Sequence, residues 1–210
     1  MVNSMSRYSR EDLDKYFEYG CYPPSRMIYL GSRSYTDDSE ESGTDFQMSD
    51  HFIKAITYLD SRSSDPIYIH MNNLGGDWYH GMAIYDAIIS SRCHVTIVAW
   101  GHAMSMGSII LQAADIRIIS PNTVLMIHDG FESINGIPRS AENWAKESKK
   151  SRYKMYEIYH SKMKKKLPKI TIKQIEKLCS HDTIYSAQQA VDVGLADSIL
   201  DKMIGITNIE

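Results

Sequence analysis

The chain has 210 residues, 43% of them hydrophobic and 23% charged, which allows one globular domain with a sizeable core. A net charge of −3 argues against a dedicated nucleic-acid binder. The three cysteines, Cys21, Cys93 and Cys179, are too far apart for a zinc ribbon and odd in number for a disulfide framework. Eight histidines show no metal-ligand spacing, so no metal or other cofactor is expected. The polar start MVNSMSRYSRED does not read as a signal peptide and no apolar run is long enough to span a bilayer, so the expected place is the cytoplasm, with no membrane partner.

In chain order, residues 1–26 are polar and Tyr-rich and are expected to form an N-terminal arm, with residues 27–210 as the domain. Residues 27–30 suit a short strand, and the acidic, Ser-rich stretch 31–50 a loop. Phe52, Ile53, Ile56 and Leu59 fall at helical spacing, with Ser49 or Asp50 as the cap. Residues 67–71 form a strand, from which His70 is expected to face out. Asn72-Asn73-Leu74-Gly75-Gly76 is a turn, and residues 77–90 a helix with Ile84, Tyr85, Ile88 and Ile89 inward.

The same order recurs at VTIVAWGHAMSMGSIILQAA. The unbroken apolar run 95–100 suits a strand buried on both faces, Gly101 a sharp turn, and Ser105 the opening of a helix. Strand, glycine turn and helix repeated in this way predict an α/β fold with a largely parallel sheet. Residues 116–119 and 123–127 add two strands. Residues 140–166 then read as one long helix, and about half of the chain's basic residues lie between Arg139 and Lys169. Tyr156, Tyr159, Met163 and Leu167 make a stripe on it too narrow to be buried all round; such a stripe fits contact with a neighbouring subunit. Residues 171–179 form another helix, Ser186 caps a short last one that stops at Gly194, and residues 195–200 can return as a strand.

Functional groups gather at the carboxyl ends of parallel strands. Three ends here deliver Gly75-Gly76, Ser105 and His128. A hydroxyl at a helix start is often only a cap, yet it also lies beside unpaired N–H groups able to hold an oxyanion. A nucleophilic serine needs a base; His128 ends a buried-type strand, whereas His102 shares the turn with Ser105 and is its rival. For the carboxylate that orients the imidazole, Asp129 is disfavoured because adjacent side chains on extended chain point apart. Spacing leaves Asp182, Asp115 and Asp197 open.

NNLGG at 72–76, GHAMSMGS at 101–108, MIH at 126–128 and HDTIYSAQQAVDVGLADSI at 181–199 together resemble the proteolytic subunit of the Clp protease, ClpP. The resemblance runs from about residue 28 to residue 200. It implies a ClpP/crotonase-like repeated β-β-α core with a long protruding handle helix, here about residues 140–166. It further implies Ser105 as nucleophile, His128 as general base, Asp182 as the third triad member, and the Gly75 and Met106 N–H groups as the oxyanion hole. The implied protein is an ATP-dependent serine endopeptidase acting on unfolded polypeptides, a homo-oligomer of heptameric rings stacked in pairs and fed by an AAA+ unfoldase. Related alternatives are a maturation protease that needs no ATPase and a non-catalytic ring subunit; a crotonase-type acyl-CoA enzyme is possible on fold alone but leaves Ser105 unexplained. This chain departs from the family pattern at three places: Asn73-Leu74 stands for Ser-Pro, Asp129-Gly130 for Gln-Pro, and Ser180-His181 for the Asp-Arg pair that bridges the rings.

Overall fold

The computed structural model describes residues 9–31, 43–131, 133 and 136–202. Of the loop expected at 31–50, residues 32–42 lie outside the described residues, and residues 46–50 are helical instead, because the helix cap lies upstream at Asp45. The stretch expected to be an arm carries regular structure from residue 9 on. Ser9 caps helix α1 (Arg10–Tyr19), whose Gly20 C-cap takes a left-handed conformation at φ 67°. Strand β1 (Cys21–Tyr22) then pairs antiparallel with β2 (Met27–Leu30).

A largely parallel sheet forms the centre. Its order is β1-β2-β3-β4-β5-β8, with β3 at Ile67–Asn73, β4 at Val95–Met104, β5 at Ile116–Ile119 and β8 at Ser198–Ile199. Strands β6 (Val124–Ile127) and β7 (Thr183–Tyr185) form an antiparallel pair that joins through β4. Helices α2 (Phe46–Arg62), α3 (Trp78–Ile89) and α4 (Met106–Leu111) connect the first strands, and α6 (Ile172–Cys179) and α7 (Ala187–Asp192) the last. This is the α/β architecture that the alternation of elements predicts.

Gly101 is not the end of β4. The strand runs on to Met104, and Gly101, at φ 55°, is the bend at which it changes neighbours. Thr96–Ala99 pair with β5, whereas His102, Ala103 and Met104 pair with β6. An apolar run followed by glycine looks like strand then turn; beyond it the chain stays extended because β6 pairs on one side and Asn73 of β3 pairs with Ala103 on the other. One strand thus serves two sheet segments, and its far end is brought beside the start of α4 and the end of β6.

The cap of α2 is Asp45 instead of Ser49 or Asp50. Its carboxylate accepts the Met48 N–H at 2.8 Å, and Met48 and Ser49 are buried in the first turns. The visible helical spacing begins only at Phe52, so it understates the helix at its N-terminus. His70 also differs: it is buried, stacks on Trp100 and accepts the indole N–H at Nδ1, 3.0 Å. Of the apolar face expected on α3, Ile84 and Ile88 are buried but Ile89 is exposed.

Helix α5 (Pro138–Met163) is the longest, with Pro138 in its first turn. No residue from 138 to 154 is buried, while Met155, Tyr156, Ile158, Tyr159 and Met163 are. The aromatic stripe expected to contact a neighbouring subunit is therefore core of the same chain. Tyr159 is fully buried and shares a 2.7 Å hydrogen bond with Ser108 of α4; only Leu167 stays half-exposed. The stripe reads as thin because one of its counterparts, α4, is distant in sequence. No described helix is long and apolar enough to cross a membrane.

The C-terminal return is locked by charge. Arg117, 3% exposed, donates its backbone N–H and Nε to Asp197 Oδ2 at 2.8 and 3.0 Å and pairs through Nη2 with Oδ1. Its Nη1 reaches Gln112 Oε1 and Gly194 O. Burial pushes the Asp197 carboxyl up, but the Arg117 hydrogen bonds and charge outweigh it, and its pKa is lowered. Asp197→Ala is expected to destabilise the chain by about 2–3 kcal/mol, because it leaves a buried cation short of partners. A lowered carboxyl stabilises above the ordinary value of about 3.9 and loses that contribution as pH falls through the folded value. Melts of wild type and variant should accordingly differ at pH 7 and converge only as pH falls below the ordinary carboxyl range.

Candidate active site

Ser105 sits between β4 and α4 at φ 50°, ψ −122°, a conformation that is rare for a residue with a side chain. Its N–H donates to Met126 O at 2.9 Å, which ties the bend to β6. The hydroxyl does not cap α4. It lies 2.8 Å from His128 Nε2. His128 follows the last residue of β6, and its Nδ1 lies 2.8 Å from Asp182 Oδ1. Asp182 stands in the link between α6 and β7, and because β7 pairs with β6 the carboxylate meets the ring. With Nδ1–H donated to Asp182, Nε2 keeps the lone pair that accepts the Ser105 hydroxyl.

The rivals are engaged elsewhere. Asp115 Oδ2 accepts the Val95 N–H at 2.8 Å, Asp197 is held by Arg117, and Asp129 Oδ1 accepts the Tyr156 hydroxyl at 2.7 Å. That Tyr156 hydroxyl is held well above its usual pKa by burial and by Asp129. His102 lies within β4, its N–H donating to Asn72 Oδ1 at 3.1 Å.

The two glycines have distinct tasks. Gly75, at φ 107°, packs so close to Ser105 that a Cβ would fall 2.5 Å from the Ser105 Cβ. Gly76, at φ 144°, would set a Cβ 2.4 Å from Thr44 O, on the segment that crosses the loop. The Gly75 N–H, expected to face the reacting oxygen, instead donates to Asn73 Oδ1 at 2.7 Å. An asparagine two residues upstream can make this bond, and that was the signal available in the sequence. Met106 presents the first N–H of α4, a group with no partner within its own helix.

A cleft of about 400 Å³ opens over Ser105 and His128. Gly76, Trp78 and Met106 line one side, and Ser151, Arg152 and Met155 of α5 the other. Tyr79 and Trp144 meet edge to face at 6.4 Å, linking α3 to α5 beside it. These wall residues have no motif; α5 brings them to the site from far along the chain. Ser180 and His181 are exposed beyond α6, and the His181 ring contacts the hydroxyls of Ser180 and Thr183 at 3.3 and 3.4 Å.

The Clp protease family model matches residues 40–203. The ATP-dependent Clp protease proteolytic subunit of Deinococcus radiodurans is 33% identical over 159 residues, covering 74% of this chain and 76% of that relative.

Proposed function

The chain belongs to the Clp protease family, and from that premise we propose that it is a serine endopeptidase with Ser105 as nucleophile, His128 as general base and Asp182 as the carboxylate that orients His128. The observation that carries this reading is the unbroken row Asp182–His128–Ser105, with both hydrogen bonds at 2.8 Å. As Ser105 Oγ attacks the peptide carbonyl, its proton passes to His128 Nε2. The resulting imidazolium is stabilised by Asp182, and the oxyanion by the Met106 N–H and, once available, that of Gly75. His128 then returns the proton to the departing amine as the C–N bond breaks. Water, deprotonated by the same nitrogen, releases the acyl group from Ser105. An extended peptide fits the cleft between the glycine loop and α5.

We further propose that the protein works as a homo-oligomeric chamber of stacked heptameric rings, cleaves unfolded polypeptides delivered by an AAA+ unfoldase, and resides in the cytoplasm. Support comes from the family, from exposed apolar side chains such as Trp144 and Tyr153 on α5 and Ile137 just ahead of it, and from three cysteines that are free thiols. The test is labelling of the purified chain by a serine-directed fluorophosphonate. Stoichiometric labelling that Ser105→Ala abolishes is the expected result. Labelling that survives the substitution would require another nucleophile.

A further inference from the structure

Asn73 ends β3 beneath the cleft, 2% exposed, with its carboxamide held on every side. Oδ1 accepts the Gly75 N–H at 2.7 Å. Thr44 Oγ1 lies 3.1 Å from Oδ1 and 3.0 Å from Nδ2, and Nδ2 reaches Met48 Sδ at 3.3 Å. The pocket for Oδ1 exists because residue 107 is glycine: a Cβ there would stand 2.9 Å from Oδ1 and 2.6 Å from Asn73 O. A single N–H has one direction. While it points at a buried side chain, it does not point into the cleft where the Ser105 adduct forms. Side-chain bonds of this local kind compete with other uses of the same backbone group.

We propose that Asn73 is a positioning residue that latches the Gly75 N–H in the resting site, and that cleavage requires the Leu74–Gly75 peptide to leave Oδ1 and turn its N–H toward the substrate oxygen. This rests on the serine-peptidase reading above. The loop is suited to the turn: rotation of this peptide changes the φ of Gly75, which is already positive and carries no Cβ to clash. Magnitudes favour release at the right moment. An oxyanion donor is worth roughly 10²–10³ in kcat, whereas the grip of one neutral hydrogen bond is worth only about 2- to 10-fold. The ground-state carbonyl is a weaker acceptor than the oxyanion, so the latch yields mainly in the transition state and lowers kcat more than it changes KM. Thr44 extends the latch to the segment ahead of α2, since its N–H donates to Gly75 O and its carbonyl accepts the Asp77 N–H.

Two experiments on the full chain test the proposal. The first is a crystal structure of a peptide-aldehyde adduct on Ser105. Gly75 N should lie about 2.7–3.1 Å from the hemiacetal oxygen and off Asn73 Oδ1; a Gly75 N–H still on Oδ1 in the adduct overturns the latch. The second is the kcat and KM of Asn73→Ala and Asn73→Asp on a short fluorogenic peptide. Asn73→Ala should raise kcat by about 2- to 10-fold at unchanged KM. Asn73→Asp, which restores a charged and therefore stronger acceptor, should bring kcat below wild type. A merely structural asparagine would lower kcat in both variants, and a folded Asn73→Ala that gains nothing overturns the proposal. If the alanine variant does not fold, the wild-type adduct decides. Wild-type protein without Ser105-dependent hydrolysis would count against the peptidase reading itself, and the latch would fall with it.

Discussion

Ser105→Ala is expected to lower the peptide-hydrolysis rate by roughly 10⁶, and His128→Ala to lower it as far, because nucleophile and base act as one unit. The two side chains share a single proton across 2.8 Å, so removing either leaves the other without its function. Neither change should disturb the fold. The Ser105 hydroxyl does not cap α4, and His128 stands just past the end of β6 with part of its ring in solvent. The measurement is hydrolysis of a short fluorogenic peptide by each variant, with circular dichroism as the folding control. Residual turnover within a hundredfold of wild type in Ser105→Ala would move the nucleophile elsewhere.

The second large effect is expected at Asp182. Asp182→Asn should reduce kcat by roughly 10⁴, since an amide cannot stabilise the imidazolium and permits the wrong tautomer. Asp129→Asn is expected to act quite differently. Asp129 meets Tyr156 and not the ring, so its loss should perturb the cleft wall and leave the chemical step largely intact. Asp182 is largely exposed, so its substitution is also expected to be mild for stability. Rates and melting temperatures for the two variants therefore separate the roles. Equal loss of kcat in both would show that the carboxylate nearest in sequence, and not Asp182, orients His128.

Much of this could be read from the chain itself because the signals are local. The helical pattern at 171–179, the cap at Ser186 and the glycine at 194 each depend on neighbours a few residues away, and the corresponding helices stand where expected. The order of four short motifs identified the family, which the comparisons bear out. The tertiary structure decided what depends on distant partners. Asp182, Asp115 and Asp197 are equivalent as carboxylates in a sequence; the pairing of β6 with β7 puts Asp182 on His128, while Val95 and Arg117 occupy the other two. Gly101 reads as a turn until β6 on one side and Asn73 of β3 on the other keep β4 extended. The stripe on α5 reads as a surface until α4 brings Ser108 to Tyr159. The direction of the Gly75 N–H, toward Asn73 and away from the cleft, follows from the Asn73 carboxamide, which Thr44 holds from another part of the chain. Short-range propensity specifies which element forms, but burial and hydrogen bonding across long sequence separations specify which face of it is used, and no local pattern encodes that choice.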